Sequence, residues 1–439
     1  MVSQLALRSL VSRFTRRFGP PAGRSTTYRF VSHRWHKLAR AIDTLGWPIR
    51  LAVDAVRPWR SNATDLVAPR SILVVQLDHL GDAVLSTGLL AALRERHPQA
   101  RIDVLAAPWN REVFELLPQV DRIHICRDYR LARSPGRWWP IELLRSAWRL
   151  RRVRYDWGID VRGELPVVGL LWLAGIRRRI GWDAGGGGFL LTDSPTYRTA
   201  RHEVASRAAL VDCARWTGSP PARIRPVNVR PRLASTPEAR AALAERFAQS
   251  GVGRREPLVV LHIGAGTASK RWPAEHWEEL LGRLALEMGD VRAVLVGGRE
   301  ERELARRVTG GRVWPNALDW TGELSIAQLV ALLECAELFV GADSGPAHMA
   351  AALGVPVVSL FAGTSDPRIW RPWGGAVEVL ERRVACAPCH QLVCPLAENL
   401  CMRGIRPIDV IAAVERLRER GSLVPRETAM RGFTVLRAA

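Results

Sequence analysis

Three short stretches combine residue types able to act on a phosphorylated substrate. HIGAGTASK (262–270) follows a β-rich run and precedes a helical one beginning near Pro273. Gly264, Ala265 and Gly266 let backbone amides approach a ligand closely, and the helix N-terminus behind them supplies partial positive charge. Lys270 adds a compact cation on a flexible stem, suited to a phosphate oxygen. It stands out because Lys37 and Lys270 are the only lysines, the rest of the 64 basic residues being arginine. The stretch matches neither GxxxxGK[ST] nor GxGxxG. In LFVGADSGPAHMAAALG (338–354) a strand runs into Asp343, Ser344, Gly345 and Pro346. Ser344 and Gly345 suit a diphosphate at a helix N-terminus, and Pro346 suits the first helical turn. Asp343 would orient the loop or contact a hydroxyl, and His348 either packs structurally or donates to a phosphate oxygen. QLDHLGDAVLSTG (76–88) carries Asp78 and Asp82 at the end of a strand. Asp82 reads either as a helix N-cap or as a carboxylate free to accept a proton.

The elements that must position these loops alternate. SILVVQL, RIDVLAAP, DRIHIC and YDWGIDVR read as strands, with helices over AVLSTGLLAALRERH and REVFELLPQV. The proline-rich stretch 217–235 reads as a linker, and the alternation then restarts at PLVVLHIGAG. Alternation of this kind implies an α/β fold with parallel sheets covered on both faces. The expected organisation is a basic amphipathic extension (1–68), two Rossmann-like domains (69–235 and 236–420) facing a cleft, and a tail (421–439). Ligands in such sheets bind at the carboxyl ends of strands.

The formal charge of +21 predicts attraction to something acidic: nucleic acid, anionic lipid or a phosphorylated substrate. An arginine-rich genome-wide composition bias is the plain alternative. No apolar run reaches the ~18 residues needed to span a bilayer, and the N-terminus lacks a signal-peptide core. A cytoplasmic protein is expected, and the tryptophans and leucines among the arginines of residues 1–68 suggest peripheral contact with an anionic membrane.

Taken together, ILVVQLDHLGDAVLSTGLLAALRERHP, YDWGIDVRG, GIRRRIGW, LHIGAGTASKRWPAEHW, VLVGGREERELA, DWTGELSIAQLVALL and FVGADSGPAHMAAALGVPVVSLFAGT resemble glycosyltransferase family 9, the lipopolysaccharide heptosyltransferases and their relatives. They span roughly residues 71 to 415. The resemblance implies a GT-B architecture whose C-terminal half holds a nucleotide-diphosphate sugar, commonly ADP-heptose, and whose N-terminal half receives a membrane-linked glycan. Asp82 stands where the family places its catalytic base. Lys270 stands at its phosphate-contacting lysine, and Asp343, Ser344, Gly345 and His348 match its diphosphate loop. Glu301 falls near its ribose-contacting acid. The implied reaction is inverting and needs no metal, and the chain has no Asp-x-Asp triplet. The loop reads GAGTAS where heptosyltransferases often carry threonines.

Cys386, Cys389, Cys394 and Cys401 lie within sixteen residues, a spacing that admits a structural zinc site, disulfide pairs or unmetallated thiols. The arginines of 145–157 and 175–182 read as a solvated face or as contacts to acceptor phosphates, with Arg162 an acceptor contact beside Asp160. Two other functions compete: a GT-B-fold nucleotide-sugar epimerase, and a basic nucleic-acid- or membrane-binding protein without catalysis. No helix-turn-helix, zinc-finger or RNP signature supports the nucleic-acid reading.

Overall fold

A computed structural model describes residues 33–56, 68–127, 129, 138–199, 201–214, 228–253, 256–288, 291–396 and 398–423. Most of the basic extension, residues 217–227 of the expected linker and nearly all of the tail lie outside these residues. The chain forms two compact units. The first comprises Met1–Asp78, Gly88–Phe114 and Pro118–Val229; the second comprises Arg230–Ala439 with His79–Thr87 and Glu115–Leu117.

The first unit opens with helix α1 (His33–Val56). Its sheet is built from β1 (Ser71–Gln76), β2 (Arg101–Ala106), β3 (Arg122–Ile125), β4 (Trp157–Asp160) and β5 (Arg178–Ile180). Helices α2 (Leu80–Arg96), α3 (Arg111–Glu115), α4 (Trp139–Arg151), α5 (Leu165–Leu173) and α6 (Glu203–Cys213) connect or flank these strands. All pairings are parallel, in the order β3-β2-β1-β4-β5. Every residue of β1 is buried, as its unbroken apolar run requires of a strand covered on both faces. One core gathers Leu73 and Val75 of β1 with Leu143, Ala147 and Leu150 of α4 and Val167, Leu170 and Leu171 of α5.

The second unit carries α7 (Pro237–Gln249), β6 (Leu258–His262), α8 (Ala274–Glu287), β7 (Arg292–Val296), α9 (Arg302–Thr309), β8 (Ala317–Asp319) and α10 (Ile326–Cys335). It continues with β9 (Leu338–Ala342), α11 (Gly345–Ala352), β10 (Val357–Phe361), α12 (Pro367–Trp370), β11 (Val377–Glu381), α13 (Leu400–Arg403) and α14 (Pro407–Glu419). Its sheet is again wholly parallel, in the order β11-β10-β9-β6-β7-β8. Helices start where capping chemistry sits. Thr236 accepts the Ala239 amide at α7, and Ser325 with Gln328 forms a capping box at α10. The core packs Trp272 and Trp277 against α14 and the β6, β7 and β9 strands.

In each sheet the strand order reverses at one place, between β1 and β4 in the first and between β6 and β9 in the second. Adjacent strands there send their connections to opposite faces, which leaves an opening at their carboxyl ends. All three sequence stretches fall at these openings.

Several expectations change. The helix read over 111–120 stops at Glu115, because Pro118 cannot continue it. The strands β5, β8 and β11 and the helices α4 to α7 are added. Arg178 and Arg179 are not part of a solvated face. They form β5, and the buried Arg179 guanidinium donates to the carbonyls of Leu190 and Ile176 at 2.5 Å.

Candidate functional site

In the second unit, the loop after β6 passes through a single 3-10 turn, Ala268–Lys270, before α8. The loop after β9 delivers Asp343 and Ser344 to the N-terminus of α11, where Ser344 is the N-cap and Pro346 lies in the first turn. Lys270 and Asp343 meet: Lys270 Nζ donates to Asp343 Oδ2 at 2.5 Å. Ser365 Oγ donates to the same oxygen at 2.9 Å, and His348 Nε2 stands 3.8 Å from Oδ1. Burial pushes the Asp343 carboxyl up, but the Lys270 charge, helped by the His348 side chain, outweighs it and holds it well below the usual carboxylate range. Asp343 is therefore a fixed anion. It draws the Lys270 ammonium, which keeps two further donors, toward the N-terminus of α11.

Ser344 does not cap its helix with its side chain; its Oγ lies 3.2 Å from His262 Nδ1. His262 ends β6, and burial lowers its pKa to about 4, so the imidazole is neutral. The Lys270 loop is fastened from outside. Ser269 N donates to Leu392 O at 3.1 Å, its Oγ donates to Gln391 O at 2.6 Å, and Asn399 Nδ2 donates to Ser269 O at 2.6 Å. The cysteine-bearing segment thus clamps this loop. Among the described residues no three His, Cys, Asp or Glu form a group that could hold a metal ion, and Cys386, Cys389, Cys394 and Cys401 are not joined in disulfides.

Glu301 folds back on its own turn, where Oε2 accepts the Gly298 amide at 2.6 Å. Gly264 leaves room for this carboxyl, since an added Cβ would lie 2.6 Å from Glu301 Cδ and would displace that side chain. Ala265 is buried and Gly266 is exposed, with no atom near its Cβ position. A cavity of about 450 Å³ opens beside Glu301, lined also by Arg271, Trp272, Leu304 and Arg307. It does not reach Lys270 or Asp343.

Asp82 is not an N-cap. Helix α2 begins at Leu80, which places Asp82, half-buried, in the first turn. The segment His79–Thr87 belongs with the second unit. Within that unit, a Cβ added at Gly81 would lie 2.9 Å from the His348 ring, so the glycine lets the Asp82 turn approach the α11 loop.

In the first unit, Asp78 and Arg162, 84 residues apart, are brought together after β1 and β4. Arg162 Nη1 donates to Asp78 Oδ1 and its Nε to Glu164 Oε1. Tyr129 Oη donates to Glu164 Oε2 at 3.0 Å. The Asp78 carbonyl accepts from Trp109 Nε1 and Asn110 Nδ2, each at 2.8 Å. Beneath them, Asp160 accepts the amides of Arg162 at 3.0 Å and Glu164 at 3.2 Å. Burial pushes Asp160 up to about 7, against the pull of backbone hydrogen bonds and with the help of the Glu164 charge. Its folded pKa exceeds the ordinary 3.8, so its stabilising contribution is complete below that value and lost as pH rises through about 7. The stability difference between the wild type and Asp160→Asn should therefore change between pH 4 and pH 8, as followed by urea unfolding. A difference independent of pH would show that Asp160 does not titrate there.

Two wholly parallel α/β units with polar loops at both strand-order reversals are the components of a GT-B fold. The glycosyltransferase family 9 (heptosyltransferase) model matches residues 143–399, and the chain belongs to that family. Lipopolysaccharide heptosyltransferase 3 of Escherichia coli is 25% identical over 296 residues, covering 67% of this chain and 83% of the relative. Lipopolysaccharide heptosyltransferase 1 of Pseudomonas aeruginosa is 28% identical over 334 residues, covering 74% and 87%. The crystal structure of a family 9 glycosyl transferase from Veillonella parvula superposes with a TM-score of 0.66 at 23% identity, over 82% of this chain and all of that one. The E. coli ADP-heptose heptosyltransferase II structure gives 0.61 at 22% identity, over 80% and 99%. The protein is a glycosyltransferase. Among its described residues no helix is long and apolar enough to cross a membrane.

Proposed function

We propose that the enzyme transfers a heptose from ADP-heptose to a lipopolysaccharide-core or similar membrane-linked glycan, inverting the anomeric centre. The observation that carries this reading is the Lys270–Asp343 ion pair at the β6/β9 opening, beside the N-terminus of α11. The curated relatives are named heptosyltransferases, which favours heptose as the sugar.

In this reading the donor diphosphate lies along the α11 N-terminus. Lys270 neutralises the oxygen from which the sugar departs, and the amides of residues 344–346 share the developing charge. Gly264, Ala265 and Gly266 let the backbone approach the donor. Glu301 holds the ribose, exchanging its bond to the Gly298 amide. His348 acts through Asp343, which it faces. Asp82 takes the proton from the acceptor hydroxyl, whose oxygen attacks the anomeric carbon opposite the diphosphate. The pair Asp78–Arg162 binds the acceptor, the guanidinium facing one of its anionic groups. Positive charge comes from Lys270 and the helix, so the reading assigns no metal to the reaction. A structural role for zinc at Cys386, Cys389, Cys394 and Cys401 would require those thiols to gather. The protein acts in the cytoplasm, at the face of the membrane that carries its acceptor.

Calorimetric titration with ADP, UDP, GDP and ADP-heptose tests the donor. Binding of ADP and ADP-heptose and none of UDP or GDP is expected. Tighter UDP or GDP binding would exclude ADP-heptose as the donor.

A further inference from the structure

The first unit exposes more aromatic surface than a solvated helix layer needs. Trp138, the N-cap of α4, is 67% exposed, and on the helix Leu144 is 55% and Trp148 59% exposed, with Ile141 also exposed. At 100° per residue, Ile141, Leu144 and Trp148 fall on one stripe. At the end of α5, Trp172 is 52% exposed and Leu173 is exposed beside it. The two helices pack together, and Arg151 Nη1 donates to the Leu173 carbonyl at 3.0 Å, which joins the end of α5 to the end of α4. Scattered exposed apolar residues need no explanation, but a contiguous stripe marks a contact surface.

The charges around the stripe identify the contact. Arg145, Arg149, Arg151, Arg152 and Arg177 are exposed around it. The α4 and α5 sequences hold one carboxylate, Glu142, which Arg149 already engages at 2.8 Å. The Arg152 guanidinium lies 3.8 Å above the Trp148 ring. Tryptophans mixed with arginines suit the headgroup layer of a bilayer, where the ring is half-immersed and the cation meets phosphate. A second copy of the chain fits less well, because a two-fold contact here would set this arginine cluster against itself.

We infer that the stripe Trp138–Ile141–Leu144–Trp148 of α4, extended by Trp172 and Leu173, docks the enzyme on an anionic lipid surface. The inference rests on the reading of the acceptor as a membrane-linked glycan, and it adds a docking face within the folded unit to the basic extension.

The full chain is to be co-sedimented with vesicles of phosphatidylethanolamine and phosphatidylglycerol, and with phosphatidylcholine vesicles alone. Binding is expected to the anionic vesicles, to weaken with salt, and to fall about tenfold in Trp138→Ser/Trp148→Ser, from the apolar area withdrawn from the interface. Leu144→Ser/Trp172→Ser, at separate exposed positions, should behave alike and guards against misfolding of the first variant. Both variants should keep full transfer to a delipidated acceptor, so failure of docking and failure of the enzymatic reading are read separately. Vesicle binding unchanged in both variants, or absent in the wild type, would overturn the inference. So would a dimer in sedimentation velocity that the same substitutions dissociate, which would assign the face to a second copy.

Discussion

Asp82→Asn should lower transfer by about a thousandfold while leaving ADP binding within about twofold of wild type, the range expected when a positioned general base is removed. The expectation comes from its place. Asp82 stands in the first turn of α2, beyond a glycine that lets this turn lie against the His348 ring. Asparagine keeps the shape and hydrogen-bonding reach of the side chain but cannot accept the hydroxyl proton. The loss should therefore appear in kcat and not in donor affinity. Measuring kcat, KM for the acceptor and ADP affinity on the same preparation separates these terms. A variant that loses donor binding together with turnover would make Asp82 part of the donor site, and a variant with near-normal turnover would remove it from the chemistry.

Lys270→Ala should cost about a hundredfold or more in kcat/KM, the scale seen when one preorganised donor to a developing anion is removed. Here the loss has two parts. The departing diphosphate loses a cation. Asp343, left buried without its 2.5 Å partner, would then present uncompensated negative charge near the same phosphates. Lys270→Ala should for this reason be worse than Lys270→Ala/Asp343→Asn, in which the stranded carboxylate is neutralised. Lys270→Arg should recover only part of the activity, since a planar guanidinium cannot occupy the point position of an ammonium between Asp343 and a phosphate oxygen. Steady-state kinetics of the four proteins decide this. Full turnover in Lys270→Arg would mean that charge alone suffices at this position. A double variant no better than Lys270→Ala would show that the stranded Asp343 charge costs nothing.

Much of this was legible in the sequence because the chemistry sits on strand ends. Apolar runs such as SILVVQ and LVVLH announce buried parallel strands, and each such run must give way to an exposed loop. Asp78, Asp82, Lys270 and Asp343 could be named for that reason. The meeting of Lys270 with Asp343, and of Asp78 with Arg162, depends on which strands are neighbours, and strand order is set by packing between distant segments. His262, Ser365 and Tyr129 were missed as partners for the same reason. Each acts through a contact from another strand or loop, with no local spacing to mark it. The α4 and α5 helices hid differently. The α5 sequence LPVVGLLWL is apolar on every side, so it lacks the periodicity that announces an amphipathic helix, whereas α4, with its charged outer positions, carries that signal and was overlooked. The clamp of Gln391, Leu392 and Asn399 on Ser269 likewise had no signal beyond the cysteine spacing, which pointed to a different chemistry.

We propose that this family 9 glycosyltransferase moves a heptose from ADP-heptose to a lipopolysaccharide-type acceptor. The most direct test is the transfer reaction of the wild type, supplied with ADP-heptose or with UDP- and GDP-sugars and a heptose-deficient lipopolysaccharide core. Product mass and the anomeric coupling in its NMR spectrum are then read. Addition of one heptose from ADP-heptose alone is expected, with the anomeric configuration opposite to that of the donor and with product forming about a thousandfold more slowly in Asp82→Asn. Transfer from a UDP- or GDP-sugar in preference to ADP-heptose, or a product that retains the donor configuration, would contradict it.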